Sequence, residues 1–273
     1  MKVAVVGAAG RMGRWFTNYF IRRGHQVEVY DVRRREAEAL AREVGASYAP
    51  TLRRCVHGSD LIFLSTPIEA TPRTVARVGR VVDGSALLVE ISSLKSRVIP
   101  ALKRLPKQLT PLSLHPLFGP GLDDLRHGRM AVVEVNDLAR EAEIAGQLFP
   151  EASFVKCSAE EHDRMMAYSL TLPYFVNLAF GLSISSLEAS RLRLHAGTTL
   201  SAQLNLLKAV VQGSGHLIPT LLAKNPYSRE AVDRYLEAAK ALRRCMGKES
   251  ELEKVVDALR RGLSSEGGAY EDD

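Results

Sequence analysis

Lys2-Val3-Ala4-Val5-Val6-Gly7-Ala8-Ala9-Gly10-Arg11-Met12-Gly13 decides how the rest of the chain is read. A short apolar run bounded by a glycine turn reads as a buried strand, and the stretch from Arg11 to Arg23 reads as a helix that starts inside the turn. A dinucleotide site needs this strand–turn–helix form. Small residues let the backbone approach the pyrophosphate, and the helix N-terminus meets that charge with unpaired N–H groups and its dipole. The spacing G-x-x-G-x-x-G is a variant of G-x-G-x-x-G with one extra residue. It makes Gly7, Ala9, Gly10, Arg11, Met12 and Gly13 the candidate cofactor contacts.

Outward from the turn, β-branched runs at Val27 to Tyr30, Leu61 to Leu64, Ala86 to Val89 and Ala131 to Glu134 alternate with helical stretches such as Arg34 to Val44. Strands alternating with helices of this length build βαβ units. The expected fold is α/β: a Rossmann-type, doubly wound parallel sheet over residues 1–156. Residues 157–273 show no strand pattern and read as an all-helical domain that closes the site and dimerises, with Pro173, Pro219 and Pro226 as kinks or stops. The tail from Gly262 to Asp273 is expected to fray. Met165 to Leu187 carries no formal charge and is long enough to span a bilayer. It contains Pro173, Asn177 and several serines, and has no second span beside it. A helix buried on nearly all sides in a two-fold dimer is the preferred reading, so no membrane is expected.

The chain has 273 residues, 46% of them hydrophobic and 25% charged, which excludes a collagen, a coiled-coil rod or wholesale disorder. Its formal charge of +6 is uneven: 23 basic against 16 acidic residues through Lys156, and 14 against 15 beyond it. Basic residues do not cluster with aromatics, and no helix-turn-helix is evident, so small anions are expected and nucleic acid is not. Three scattered cysteines (Cys55, Cys157, Cys245) suit neither a disulfide framework nor a metal site. With no signal-peptide layout at the start, a reduced cytoplasmic setting is expected.

Asp31 follows the second strand, where an acidic side chain takes the adenosine ribose hydroxyls and favours NAD. The alternative is a turn residue that caps the helix from Arg34. Arg33, Arg34 and Arg35 beside it could hold a 2′-phosphate, so NADP stays open. Ser65-Thr66-Pro67 ends the Leu61 strand at the edge where ligands bind in open α/β folds, or is an ordinary proline-terminated strand end. The next strand ends carry Ser92-Ser93-Leu94-Lys95 and His115-Pro116-Leu117-Phe118-Gly119-Pro120. In a doubly wound order both would open toward the nicotinamide.

These two segments resemble the prephenate dehydrogenase family, which includes the arogenate and cyclohexadienyl dehydrogenases of tyrosine biosynthesis. Glu161-His162-Asp163-Arg164-Met165-Met166 and Ala196-Gly197-Thr198-Thr199 are similar to further family segments, and the likeness runs from the glycine turn to about Pro226. The resemblance implies oxidative decarboxylation of a small carboxylate substrate. Hydride passes to a nicotinamide, and His115 takes the hydroxyl proton as base. An imidazole with an unperturbed pKa of about 6.5 suits that role. Ser93 would orient the substrate hydroxyl and His115. Lys95 would sit near the carboxylates or hold the loop, with a surface lysine at a helix start as the alternative. The chain departs from the family where substrate is gripped: Tyr174 stands where relatives carry a histidine. The carboxylate-binding arginine has no counterpart between Arg193 and Arg229, its place falling near Lys208 and Ala209 or near Thr220. Two alternatives remain: a nicotinamide-binding redox sensor or regulatory subunit, and another two-domain dehydrogenase. A 3-hydroxyacid dehydrogenase would want a lysine between residues 165 and 187, and there is none.

Overall fold

The computed structural model describes residues 1–187, 189–213 and 215–265. Eight strands form one sheet: β1 (Lys2–Val6), β2 (Gln26–Tyr30), β3 (Ser47–Tyr48), β4 (Leu61–Leu64), β5 (Ala86–Glu90), β6 (Leu109–Pro116), β7 (Arg129–Val133) and β8 (Ser153–Cys157). Their order is β3-β2-β1-β4-β5-β6-β7-β8. The order reverses between β1 and β4, which opens a crevice at the carboxyl ends of those strands. Strands β1 to β6 are parallel, as expected, whereas β7 runs antiparallel to β6 and β8 parallel to β7. Loop length explains the change. A parallel partner needs a crossover helix, but residues 117–128 hold only a short 3-10 turn at Leu125–His127. The expected parallel sheet is therefore parallel over six strands and reversed over the last two.

Helices α1 (Arg11–Arg22), α2 (Arg34–Val44), α3 (Leu52–Val56), α4 (Thr71–Val81), α5 (Ile99–Leu102) and α6 (Leu138–Leu148) cover the two faces. Strand β1 shows why its apolar run lacks alternation: Val3 and Val5 point to one core, Ala4 and Val6 to the other, and all four are buried. The first core is aromatic. Phe16 and Phe20 of α1 pack on Phe63 and Phe149, with the Phe16 and Phe63 ring centroids 4.4 Å apart. This packing fixes α1, and hence its N-terminus, against the sheet.

Beyond Cys157 the described residues form helices: α7 (Ala159–Met166), α8 (Leu172–Ile184), α9 (Ala189–Leu194), α10 (Thr198–Gly213), α11 (Leu217–Lys224), α12 (Ser228–Arg244) and α13 (Glu249–Ser265). A π-helical turn at Ala167–Thr171 joins α7 to α8 just before Pro173. Proline lacks an N–H and crowds the carbonyl four residues back, and a widened turn accommodates both. Pro219 does not stop a helix. It lies in the first turn of α11, where its missing N–H costs nothing. The continuous span Ala159–Ile184 is long and apolar enough to cross a membrane, yet only 22% of its most apolar window is buried. Burial on nearly all sides is thus not achieved within one chain. The expected fraying from Gly262 also gives way to helix through Ser265, and residues 266–273 lie outside the described part.

Candidate active site

The glycine turn is built so tightly that side chains are excluded. Gly7 has φ +86°, and a Cβ placed there would lie 2.4 Å from the Ser65 carbonyl oxygen. A Cβ on Gly13 would meet the Gly7 oxygen at 2.2 Å. Gly7 and Ala8 donate their N–H groups to Tyr30 O, which fastens the turn to β2. No side chain caps the N-terminus of α1, which leaves its first N–H groups pointing into the crevice. A pyrophosphate fits this cradle: close backbone approach, free donors and a favourable dipole are all present. Ser65 forms its wall through the backbone. Thr66 turns into the start of α4, with its hydroxyl 2.9 Å from that of Thr71, and Pro67 is exposed. Arg11 donates to the Gly213 carbonyl, so the turn is tied to the end of α10 and is not fully free for a ligand.

Asp31 sits under the turn. Its Oδ2 accepts the Ala9 N–H at 3.0 Å and its Oδ1 the Arg33 N–H at 2.9 Å. It does not cap α2, whose first residue is preceded by Arg33 and receives no side-chain bond.

His115 lies near the end of β6 and is buried. Its Nδ1 is 2.9 Å from Nε2 of His162 on α7, and His162 Nδ1 is 2.8 Å from Asp163 Oδ1. Hydrogen-bond chemistry sets the tautomers. The Asp163 carboxylate only accepts, so His162 Nδ1 donates. His162 Nε2 is then an acceptor, so His115 Nδ1 donates, and His115 Nε2 keeps a lone pair. Burial holds His115 well below the usual imidazole pKa, and the nearby His162 and Lys95 act in the same direction. Burial lowers His162 as well, against the pull of Asp163. For Asp163, burial acts upward, but hydrogen bonds from His162 and from the Lys95 and Ser96 N–H groups hold it below the usual carboxylate range.

The same carboxylate links the two halves of the chain. Asp163 accepts Lys95 N–H and Ser96 N–H, each at 2.8 Å, and Asn225 Nδ2 donates to Asp163 O at 2.8 Å. Lys95 is neither at the surface nor at a helix start. Its Nζ is fully buried, 2.7 Å from Glu90 Oε1 and 2.6 Å from Leu114 O. Glu90 also accepts from Ser113 Oγ and from the Ser92 N–H. Of the two roles expected for Lys95, the geometry carries the loop-holding one, because the ammonium is turned into the protein and away from any carboxylate in the crevice. Burial pulls its pKa down, and Glu90 opposes that shift.

Ser93 is half-buried and makes no hydrogen bond to His115, so their expected pairing is absent here. Tyr174 packs with Leu170 and Leu217 against buried Ile68, Leu94 and Leu221, and burial raises its pKa. Lys208 and Ala209 are exposed on α10, and Thr220 is on α11. His162, Asp163, Glu90 and Asn225 join the site in addition to the residues expected from sequence. The adjacent Glu161-His162-Asp163 was a usable signal, whereas nothing local marks Glu90 or Asn225.

Residues 16–131 match the family model for the nucleotide-binding domain of prephenate dehydrogenase, a match that begins just after the glycine turn. A 4-amino-4-deoxyprephenate dehydrogenase of Streptomyces pristinaespiralis is 28% identical, over 99% of this chain and 94% of that protein. The "Probable arogenate/prephenate dehydrogenase" of Methanocaldococcus jannaschii is 20% identical over the whole chain, which spans 64% of that relative's length. The Aquifex aeolicus prephenate dehydrogenase solved with hydroxyphenyl propionate and NAD+ has the same fold, with a TM-score of 0.79, 16% identity and 97% of each chain covered. Sequence over the nucleotide-binding half and fold over nearly the whole chain point the same way: the chain is similar to the prephenate dehydrogenase family.

Proposed function

We propose that the protein oxidatively decarboxylates prephenate to 4-hydroxyphenylpyruvate, or arogenate to tyrosine, with a nicotinamide dinucleotide as oxidant. The observation that carries this reading is the His115 Nδ1–His162 Nε2 hydrogen bond, which leaves a lone pair on His115 Nε2 at the end of β6, with β4 and β5 between it and the strand of the glycine turn. When bound, the nicotinamide supplies the two-electron acceptor. His115 Nε2 takes the substrate hydroxyl proton as the carbinol carbon gives up its hydride. The ring carboxylate then leaves as carbon dioxide, its bonding pair completes the aromatic ring, and the proton held by His115 returns to the phenolate oxygen. Because burial keeps His115 neutral, it is ready to accept at neutral pH. Ser93, whose hydroxyl has no hydrogen-bond partner among the described residues, orients the substrate hydroxyl. Tyr174 and its apolar neighbours pack against the ring. The turn at residues 7–13, Asp31 and the Ser65–Pro67 edge hold the dinucleotide, and Lys95 with Glu90 keeps the Ser93 loop in place.

The proposal extends to organisation. The dinucleotide unit covers residues 1–156 and the helical unit residues 157–273, a division near the passage from β8 to α7 at Cys157 and Ser158. Exposed Leu182, Leu187, Leu206 and Val211 support a homodimer through the helical half, in a cytoplasmic enzyme. Mixing purified protein with prephenate or arogenate and either nicotinamide, while following absorbance of the reduced cofactor, tests the activity. Turnover of at least one pair is expected. Turnover of 4-amino-4-deoxyprephenate alone would move the substrate to the class named for the Streptomyces relative, and no turnover at all would favour the regulatory alternative.

A further inference from the structure

The outermost group at the adenosine end of the glycine turn is a guanidinium. Asp31 is only 7% exposed, and each of its oxygens already accepts a backbone N–H, from Ala9 and from Arg33. Arg33 lies over it, with Nε 3.5 Å from Asp31 Oδ1 and a side chain 53% exposed. The same guanidinium overhangs the turn: a Cβ built on Gly10 would be 3.9 Å from Arg33 Nη2. Its neighbours are engaged or point elsewhere. Arg34 pairs with Glu38 at 2.8 Å and lies over Tyr48, while Arg35 is exposed without an ion pair among the described residues.

We infer that Arg33 forms a 2′-phosphate subsite and that the protein takes NADP(H) in preference to NAD(H). The inference rests on the proposed nicotinamide chemistry and deepens it. A ribose diol would have to reach a carboxylate that is only 7% exposed and lies under Arg33. A 2′-phosphate would meet the planar donor fork of Arg33, which the ion pair with Asp31 holds at the lip of the turn. Asp31 thus anchors both the arginine and the turn that hold the dinucleotide.

Calorimetric titration of the full-length protein with NADPH, NADH, 2′,5′-ADP and ADP tests this without any turnover. The expected result is tenfold or tighter binding of NADPH over NADH and of 2′,5′-ADP over ADP. Arg33→Ala should weaken NADPH and 2′,5′-ADP by about 10- to 100-fold, the range for a lost charge-assisted phosphate contact, and change NADH by less than about threefold. Arg33→Lys should retain part of the preference. Equal or tighter binding of NADH, or an Arg33→Ala loss shared equally by both dinucleotides, would overturn the assignment to Arg33 while leaving the nicotinamide reading intact. Failure of every dinucleotide to bind would overturn that reading and the subsite with it.

Discussion

Replacing His162 with leucine removes the acceptor that fixes the His115 tautomer while leaving the proposed base in place. In the native arrangement His115 Nδ1 donates across 2.9 Å to His162 Nε2, which leaves His115 Nε2 free to accept a proton. Leucine leaves a buried Nδ1–H without a partner, at a cost of about 1–3 kcal/mol, and the imidazole avoids that cost by moving its proton to Nε2. That tautomer cannot accept from the substrate. A penalty of this size reduces the productive form by roughly 5- to 150-fold, so kcat should fall by about 10- to 100-fold with KM within about threefold of wild type. His115→Asn, which removes the base itself, should cost about 10²–10⁴. A structural defect would disturb both constants, so a conservative variant separates the two explanations. His162→Gln places an amide oxygen within reach of His115 Nδ1 and should recover several-fold of the activity lost by His162→Leu. Steady-state kinetics on variants of matched circular dichroism give the answer. Equal activity of the leucine and glutamine variants, or a leucine variant within twofold of wild type, would refute the relay.

Two further outcomes follow from the buried charges. Lys95→Met leaves Glu90 buried without its cation and should destabilise the fold by about 3–5 kcal/mol, read as a lower urea midpoint, with Glu90→Gln/Lys95→Met losing less. An unchanged midpoint would show that the pair contributes nothing. The pH dependence of stability has a definite sign. His115 and His162 have depressed folded pKa values, and His25 shifts the same way through burial, so the unfolded chain binds protons first as pH falls. Stability should be full above about pH 6.5 and decline below it, and the acid limb of kcat/KM should also lie below that value. A melting temperature flat from pH 7 to 5 would contradict the neutral, buried state of both histidines.

What could be read in advance was what local chemistry determines. The glycine turn needed no tertiary information, because only glycine satisfies φ +86° at Gly7 and the 2.2 Å approach at Gly13. His115 was legible through an apolar strand that stops at a proline. Strand β8 was not: Ser153–Cys157 is largely exposed at the sheet edge and lacks the buried apolar run that marked β1 and β4. The reversal at β7 was hidden too, since strand direction depends on the absence of a crossover helix and not on the strand's own residues. Lys95 misleads because a lysine in a polar segment usually faces water. Its partner Glu90 is five residues away and reaches it only once β5 and β6 are paired.

The wall over the crevice sharpens the question of how an anionic substrate is gripped. Three cations are already engaged with the protein itself. Lys95 is spent on Glu90, Arg11 donates to Gly213, and Lys224 lies 3.9 Å from Glu69. Tyr174, Leu217 and Leu221 face the loops that carry Ile68 and Leu94, so this part of the helical half is apolar where the family resemblance calls for a cation. Charge-assisted hydrogen bonds contribute about 1.5–3 kcal/mol each, so a substrate carboxylate left without one would bind roughly ten- to a hundredfold more weakly. Arogenate carries an ammonium that offsets one of its negative charges, and a tyrosine hydroxyl accepts from an ammonium as readily as it donates to a carboxylate. Prephenate has no such offset. A neutral wall with Tyr174 at its centre therefore penalises prephenate more than arogenate, and the order of their kcat/KM values measures how far this chain has moved from guanidinium recognition.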